Sequence, residues 1–134
     1  NGHRLAEEVA GVIASLRASA ADERAGEVAE AVRREDGPTA VAAANDQMAL
    51  GLIAGLVAEG LRVPQDISVM GFDNIEMAAY SSPGLTTIRQ HRARLGRRAA
   101  EVLLARMQGQ QVTDSITLGV DLVVRASTGQ AAKT

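Results

Sequence analysis

The sequence predicts an α/β domain: a parallel sheet flanked by helices. Three observations carry this. Apolar residues recur at helical spacing in separate stretches. Between those stretches lie short apolar runs at 39–44, 67–72 and 85–88, each followed by polar residues. The first two runs bracket a helical pattern with short links, which is the order strand, helix, strand. Such a unit makes its two strands parallel with a right-handed crossover.

The elements follow in order. Leu5, Val9, Val12, Ile13 and Leu16 form one apolar stripe, predicting a helix over 4–18. A weaker helix is expected over 22–35, with Ala25, Val28 and Val32 inward and Gly37-Pro38 as its stop. The first strand occupies 39–44. Met48, Leu52, Ile53, Leu56 and Val57 then set a helix that ends at Gly60, with Pro64 beyond it. The second strand, 67–72, closes on Asp73-Asn74. After an irregular or helical stretch at 75–80 and a Ser-Ser-Pro-Gly turn, the third strand runs to Gln90. A long helix over 93–108 carries Leu95, Ala99, Val102 and Leu103 on one face, with Gly109 past its end. Residues 116–118 and 120–124 read as short strands, and the tail from Thr128 as loose.

Composition sets the limits. The chain has 134 residues, which is room for one domain, and a net charge of −2, with no general pull toward nucleic acid or an anionic membrane. No apolar run nears the roughly 20 residues of a membrane span. The N-terminus is too polar for a signal peptide, so a soluble, cytoplasmic protein is expected. With no cysteine there is no disulfide, thiolate metal site or cysteine nucleophile. Twenty-five alanines and only Phe72 and Tyr80 as aromatics leave a thin core, as if the chain belonged to something larger.

Ligands of open parallel sheets bind beyond the carboxyl ends of the strands. Asn45-Asp46, Asp73-Asn74 and Gln90 sit there. Their amides and carboxylates suit polyol hydroxyls, which both donate and accept. Each also has a local reading: Asn45 or Asp46 as a helix cap, Asp73 as a turn residue. Catalysis finds less support. Ser68, His91 and Asp73 assemble a triad only on paper, without a nucleophile elbow. No Walker A or G-x-G-x-x-G loop is present, and Gly51-x-x-x-Gly55 reads as a close-packing helix face. Asp46 and Asp73 as a Mg²⁺ pair stand outside any dense acidic cluster. No cofactor, metal or catalytic residue is therefore expected. The arginines at 89, 92, 94, 97 and 98 lack interleaved aromatics and read as a solvated helix face partly paired with acids.

These segments also resemble the lac repressor (LacI/GalR) family of transcription regulators. The resemblance rests on Pro38-Thr39-Ala40-Val41, Ala44-Asn45-Asp46-Gln47-Met48-Ala49-Leu50-Gly51 and the run from Gly60 to Val69. It continues through Gly71-Phe72-Asp73-Asn74, Leu85-Thr86-Thr87-Ile88-Arg89-Gln90, Leu95-Gly96 and Leu122-Val123-Val124-Arg125-Ala126-Ser127-Thr128. It is nearly continuous over 38–129. The resemblance implies part of a two-lobed, periplasmic-binding-protein-like (type I) sensor, mainly its C-terminal lobe, with 1–129 as a partial effector-binding and dimerisation domain and 130–134 as tail. It implies a small polar effector, a sugar or nucleoside, that controls operator DNA binding by a helix-turn-helix lying outside this chain. By the same resemblance Asn45, Asp73 and Gln90 face the effector. Arg4 matches a family arginine less closely and reads equally as a solvent-facing residue of the first turn. Leu50, Met77 and Tyr80 fall on the homodimer surface, where Leu50 reads equally as core.

The pattern departs from the family before Pro38. Too few residues separate the helices at 4–18 and 22–35 for the usual intervening strand, and Ala21 stands where an aromatic often lies. The helix at 93–108 would pack on the other lobe. Its apolar stripe should therefore lack a partner and the sheet should keep an open edge, leaving the chain marginal or self-associating. Two other classes remain open: the sugar-binding protein of a transport system, and, more distantly, a small Mg²⁺-dependent enzyme.

Overall fold

The structure is a computed structural model that describes residues 21–112 and 115–131. The helix expected over 4–18, and Arg4 with it, lie outside the described residues. In chain order the elements are α1 (Ala21–Val32), β1 (Ala40–Ala42), α2 (Asp46–Ala58), β2 (Ser68–Phe72), α3 (Met77–Tyr80), β3 (Thr86–Gln90), α4 (Arg92–Met107) and β4 (Val120–Val123).

Four strands form one sheet in the order β1-β2-β3-β4. β1 and β2 are parallel, as are β2 and β3. β4 is antiparallel to β3, pairing Ile88 with Leu122 and Gln90 with Val120. The sheet is thus mixed, with the three expected parallel strands and an antiparallel edge. Residues 116–118 are not a strand, because no neighbouring strand among the described residues offers them a ladder. α1 also stops earlier than the pattern suggested: Val32 is its last helical residue, and turns follow to Gly37.

The pairing register separates two sheet faces. Val41, Val69, Gly71 and Thr87 share one face, and all four are buried. The core lies there, beneath α1 and α2: Ala25, Val28 and Ala29 of α1, and Ala49, Leu52, Ile53 and Leu56 of α2, with Ile67 and Leu85 from the strand entries. Each fully buried Leu, Ile or Val contributes about 1.5–3 kcal/mol. α2 stops where the glycine signal placed it. Gly60 adopts φ 81°, its N–H donates to the Val57 carbonyl, and Leu61 N–H donates to the Leu56 carbonyl. This left-handed closure satisfies two terminal carbonyls. Beyond it, Asp66 accepts from Arg62 Nε at 2.9 Å and from the Arg62 amide at 2.7 Å. Those bonds hold its carboxyl down at about 2.

The opposite face carries Ala40, Ala42, Met70, Phe72, Ile88 and Leu122. None of these six is buried: the alanines and Leu122 are exposed, the others half-buried, whereas Ser68 and Thr86 on the same face are buried and bonded to Gly129 and Thr128. Parallel sheets are normally covered on both faces; among the described residues this one is covered on one, and on the other only at Ser68 and Thr86, where the strands begin. Among the described residues β1 pairs with β2 alone. α4 has no buried residue, with Leu95 49% and Leu103 61% exposed, so no described residue covers its apolar stripe.

The segment after β4 contradicts the expectation of a loose tail beginning at Thr128. Ser127 is fully buried and wedges between the start of β2 and the start of β3. Its hydroxyl accepts from Thr86 N–H at 2.8 Å and donates to the Val69 carbonyl at 2.6 Å. Its own carbonyl accepts from Val69 N–H, and its N–H donates to the Gly84 carbonyl. Thr128 shares a 2.8 Å hydrogen bond with Thr86, and Gly129 N–H donates to Ser68 Oγ at 3.1 Å. Thr128 and Gly129 are held because the hydroxyls of Thr86 and Ser68, at the starts of β3 and β2, bond to them.

Ser127→Ala would strand a buried N–H and a buried carbonyl, each costing about 1–3 kcal/mol. The thermal midpoint is expected to fall by roughly 10 °C. A midpoint within about 2 °C of the parent chain would show that the wedge is dispensable.

Candidate functional site

The C-terminal ends of β1, β2 and β3 lie side by side, so the outer two are on the order of 10 Å apart. Each delivers a polar side chain. At the end of β2, Asp73 and Asn74 both take positive φ, 111° and 52°. Such a conformation costs a non-glycine residue about 1–3 kcal/mol and persists only where its surroundings fix it. Here they do. Asp73 N–H donates to the Ile88 carbonyl at 2.9 Å, Asn74 N–H to Thr87 Oγ1 at 3.3 Å, and Ile75 N–H to Asp46 Oδ2 at 2.8 Å.

Asp46 is fully buried although it opens a helix. Its Oδ1 accepts the Thr87 hydroxyl and its Oδ2 the Ile75 amide. The carboxylate therefore joins α2, β3 and the turn after β2. Its neighbour Asn45 is the actual cap of α2: Oδ1 accepts from Met48 N–H at 2.9 Å. Gly71 makes the arrangement possible, since a Cβ there would lie 3.0 Å from Asp46 Cα and collide with its Oδ1.

Asp73 and Gln90 are brought together. Gln90 Nε2 donates to Asp73 Oδ1 at 2.7 Å, and both side chains are half-buried. Asp73 Oδ2 and Gln90 Oε1 remain without a hydrogen-bond partner among the described residues, as does Asn45 Nδ2. The three strand ends thus offer two acceptors and one donor toward solvent. Just beyond, Asp121 of β4 accepts from Arg89 Nη2 at 2.8 Å and lies 3.2 Å from His91 Nε2. The Arg89 hydrogen bond holds the Asp121 carboxyl below its ordinary range, with His91 and Arg89 charges adding to it.

The paper triad does not assemble. Ser68 Oγ is engaged with Gly129, His91 with Asp121 and Asp73 with Gln90. Among the described residues no three His, Cys, Asp or Glu side chains converge on one point. Asp46 is bonded to Thr87 and Ile75, and Asp73, through one oxygen, to Gln90. The arginine run behaves as a solvated face, with Arg89 paired to Asp121 and Arg98 to Glu101. Leu50 is half-buried against the core, whereas Met77 and Tyr80 are exposed by 61% and 77% on the single turn of α3. Sequence reasoning missed Thr87 and Arg125. Arg125 donates to the Asn74 side-chain carbonyl at 2.9 Å and to the Leu85 carbonyl at 2.7 Å. Nothing in the Thr-Thr-Ile-Arg-Gln run of β3 set Thr87 apart, because only the register places its hydroxyl on the helix-covered face.

The sequence profile of the periplasmic binding protein-like domain family matches residues 2–128. The chain belongs to that family. Within it, the chain corresponds to the C-terminal, effector-binding part of LacI-type regulators. It is 50% identical over 92 residues to the HTH-type transcriptional repressor PurR of Vibrio vulnificus, covering 68% of this chain and 28% of that protein. The lac repressor dimer bound to operator and the anti-inducer ONPF superposes with a TM-score of 0.68 at 41% identity, over 77% of this chain and 36% of that one. A LacI family regulator from Enterococcus faecium with bound ribose gives 0.64 at 35% identity, over 80% and 40%. The chain therefore spans about a quarter to two-fifths of the length of these relatives.

Thr87→Val keeps shape but removes the donor to Asp46 and the acceptor for the Asn74 amide. Chemical denaturation should show a loss of about 1–3 kcal/mol, against less than about 0.5 for Thr39→Val at an exposed position. Equal effects at the two positions would refute the anchoring role of Thr87.

Proposed function

We propose that this chain is the ligand-sensing and dimerising portion of a cytoplasmic LacI-type transcriptional repressor. Its ligand is a small polyhydroxylated molecule, a sugar or a nucleoside. The observation that carries this reading is the Gln90–Asp73 pair at adjacent strand ends, 2.7 Å apart and half-buried. Asp73 Oδ2 and Gln90 Oε1 accept from ligand hydroxyls and Asn45 Nδ2 donates to them, so one polyol can engage all three strand ends. The mechanism is binding without turnover. A ligand that contacts two lobe arrangements differently shifts their populations, and operator DNA is read by a helix-turn-helix outside these 134 residues. Arg4 is a further candidate contact.

Met77 and Tyr80, apolar and exposed on α3, together with Leu50, supply the homodimer surface. The named relatives are repressors, which favours this reading over a transport protein and over an enzyme. The ribose complex supports a pentose or a pentose-bearing nucleoside as the first compounds to try.

A thermal melt of the chain with D-ribose, other pentoses, hexoses, lactose and nucleosides tests the proposal. At about 100 times the dissociation constant, a bound compound stabilises by about 2.7 kcal/mol. The expected result is a saturable upward shift for one class, lost in Asp73→Ala. A cooperative melt that no compound shifts, or a shift that survives Asp73→Ala, would overturn the assignment.

A further inference from the structure

We propose that Arg125 is a positioning residue for the ligand site, acting through Asn74 to aim the Asp73 carboxylate. The inference rests on Asp73 being a ligand contact, as proposed above.

Asp73 and Asn74 occupy positive φ in succession, which leaves the turn dependent on external restraints. Four hydrogen bonds supply them. Three come from the sheet and from α2: Asp73 N–H to the Ile88 carbonyl, Asn74 N–H to Thr87, and Ile75 N–H to Asp46. All three hold main-chain amides. The only bond on the Asn74 side chain among the described residues is the one from Arg125 Nη2, at 2.9 Å.

Arg125 is itself firmly placed. Its amide donates to Thr86 Oγ1 at 2.9 Å, and its carbonyl accepts from the same hydroxyl at 3.1 Å. Its aliphatic stem lies against Gly84, whose added Cβ would stand 3.5 Å from Arg125 Cδ. One arm of the guanidinium is fixed on the Leu85 carbonyl at 2.7 Å, at the entry of β3. The planar fork carries this constraint to its second arm. A residue that follows β4 thereby clamps the turn that follows β2, some fifty positions earlier in the chain. The clamp touches the residue next to Asp73 and none of the three side chains assigned to the ligand, which distinguishes positioning from contact.

Without the clamp the turn keeps only its three main-chain bonds, the one on the Asn74 amide being the longest at 3.3 Å, so residues 73 and 74 loosen and Asp73 is aimed less sharply at Gln90. The core beneath α1 and α2 contains neither residue and is not involved.

The test compares the parent chain with Arg125→Met, Arg125→Lys and Asn74→Ala by ¹⁵N relaxation, with D-ribose as the binding probe. Arg125→Met keeps the stem and removes the fork, Arg125→Lys keeps one donor, and Asn74→Ala removes the acceptor while leaving the Leu85 contact. Order parameters at residues 73 and 74 should fall from about 0.85 to below about 0.6 in Arg125→Met and Asn74→Ala. Arg125→Lys should be intermediate, and the Leu52 and Leu56 amides unchanged. Ribose affinity should weaken at least about tenfold in Arg125→Met and Asn74→Ala. A turn that stays rigid in both variants overturns the proposal. So does loosening that spreads to Leu52 and Leu56, because it would mark Arg125 as a general structural residue. If the parent chain does not bind ribose, the order parameters still decide the positioning role, while the ligand assignment fails on its own.

Discussion

Asp46 places a carboxylate in full burial at the first turn of α2, where it receives the Thr87 hydroxyl and the Ile75 amide. A buried charged group is costly unless hydrogen-bonded, so its two partners and their positions are tightly constrained. Gly71 must lack a side chain for α2 to come close enough. Thr87 must point to the helix-covered face, which fixes the register of β3. The chain after β2 must turn back toward α2, which forces Asp73 and Asn74 into positive φ. The strand ends that carry Asp73 and Gln90 are arranged around this one internal bond set.

The rest of the architecture is one-sided. Burial concentrates under α1 and α2, while the opposite sheet face and the apolar stripe of α4 stay open among the described residues. The 28% share of the Vibrio vulnificus relative's length fits this pattern: surfaces that look unfinished here are those a longer chain could cover. A site made from strand ends on one lobe can orient a polyol but cannot enclose it. Under the proposed function, Asn45, Asp73 and Gln90 are therefore one half of a site.

Much of this was legible in the sequence because periodicity and punctuation report local structure directly. The stripe from Met48 to Val57, closed by Gly60, gave α2 and its cap, and the two apolar runs around it gave parallel strands. The polar strand ends pointed to the same three residues that the family resemblance selected. What escaped was non-local. Nothing in the residues around Asp46 distinguishes a helix cap from a buried anchor, since the distinction lies 29 and 41 positions away, at Ile75 and Thr87. The roles of Ser127 and Arg125 did not show, because their partners, at Val69 and Thr86 and at Asn74 and Leu85, lie about 40 to 60 positions earlier in the chain. Residues 116–118 show the opposite error: their strand-like composition had no neighbouring strand to pair with.

Native-state hydrogen exchange at the Ile75 amide tests the Asp46 anchor most directly. If the carboxylate is the tie between α2, β3 and the turn, that N–H exchanges only through the same global opening as Leu52 and Leu56 in the core. Asp46→Ala, which removes both acceptors, should then release it. Fast exchange of Ile75 in the parent chain, with Leu52 and Leu56 still protected, would show that the turn opens independently and that the site is not built on this bond.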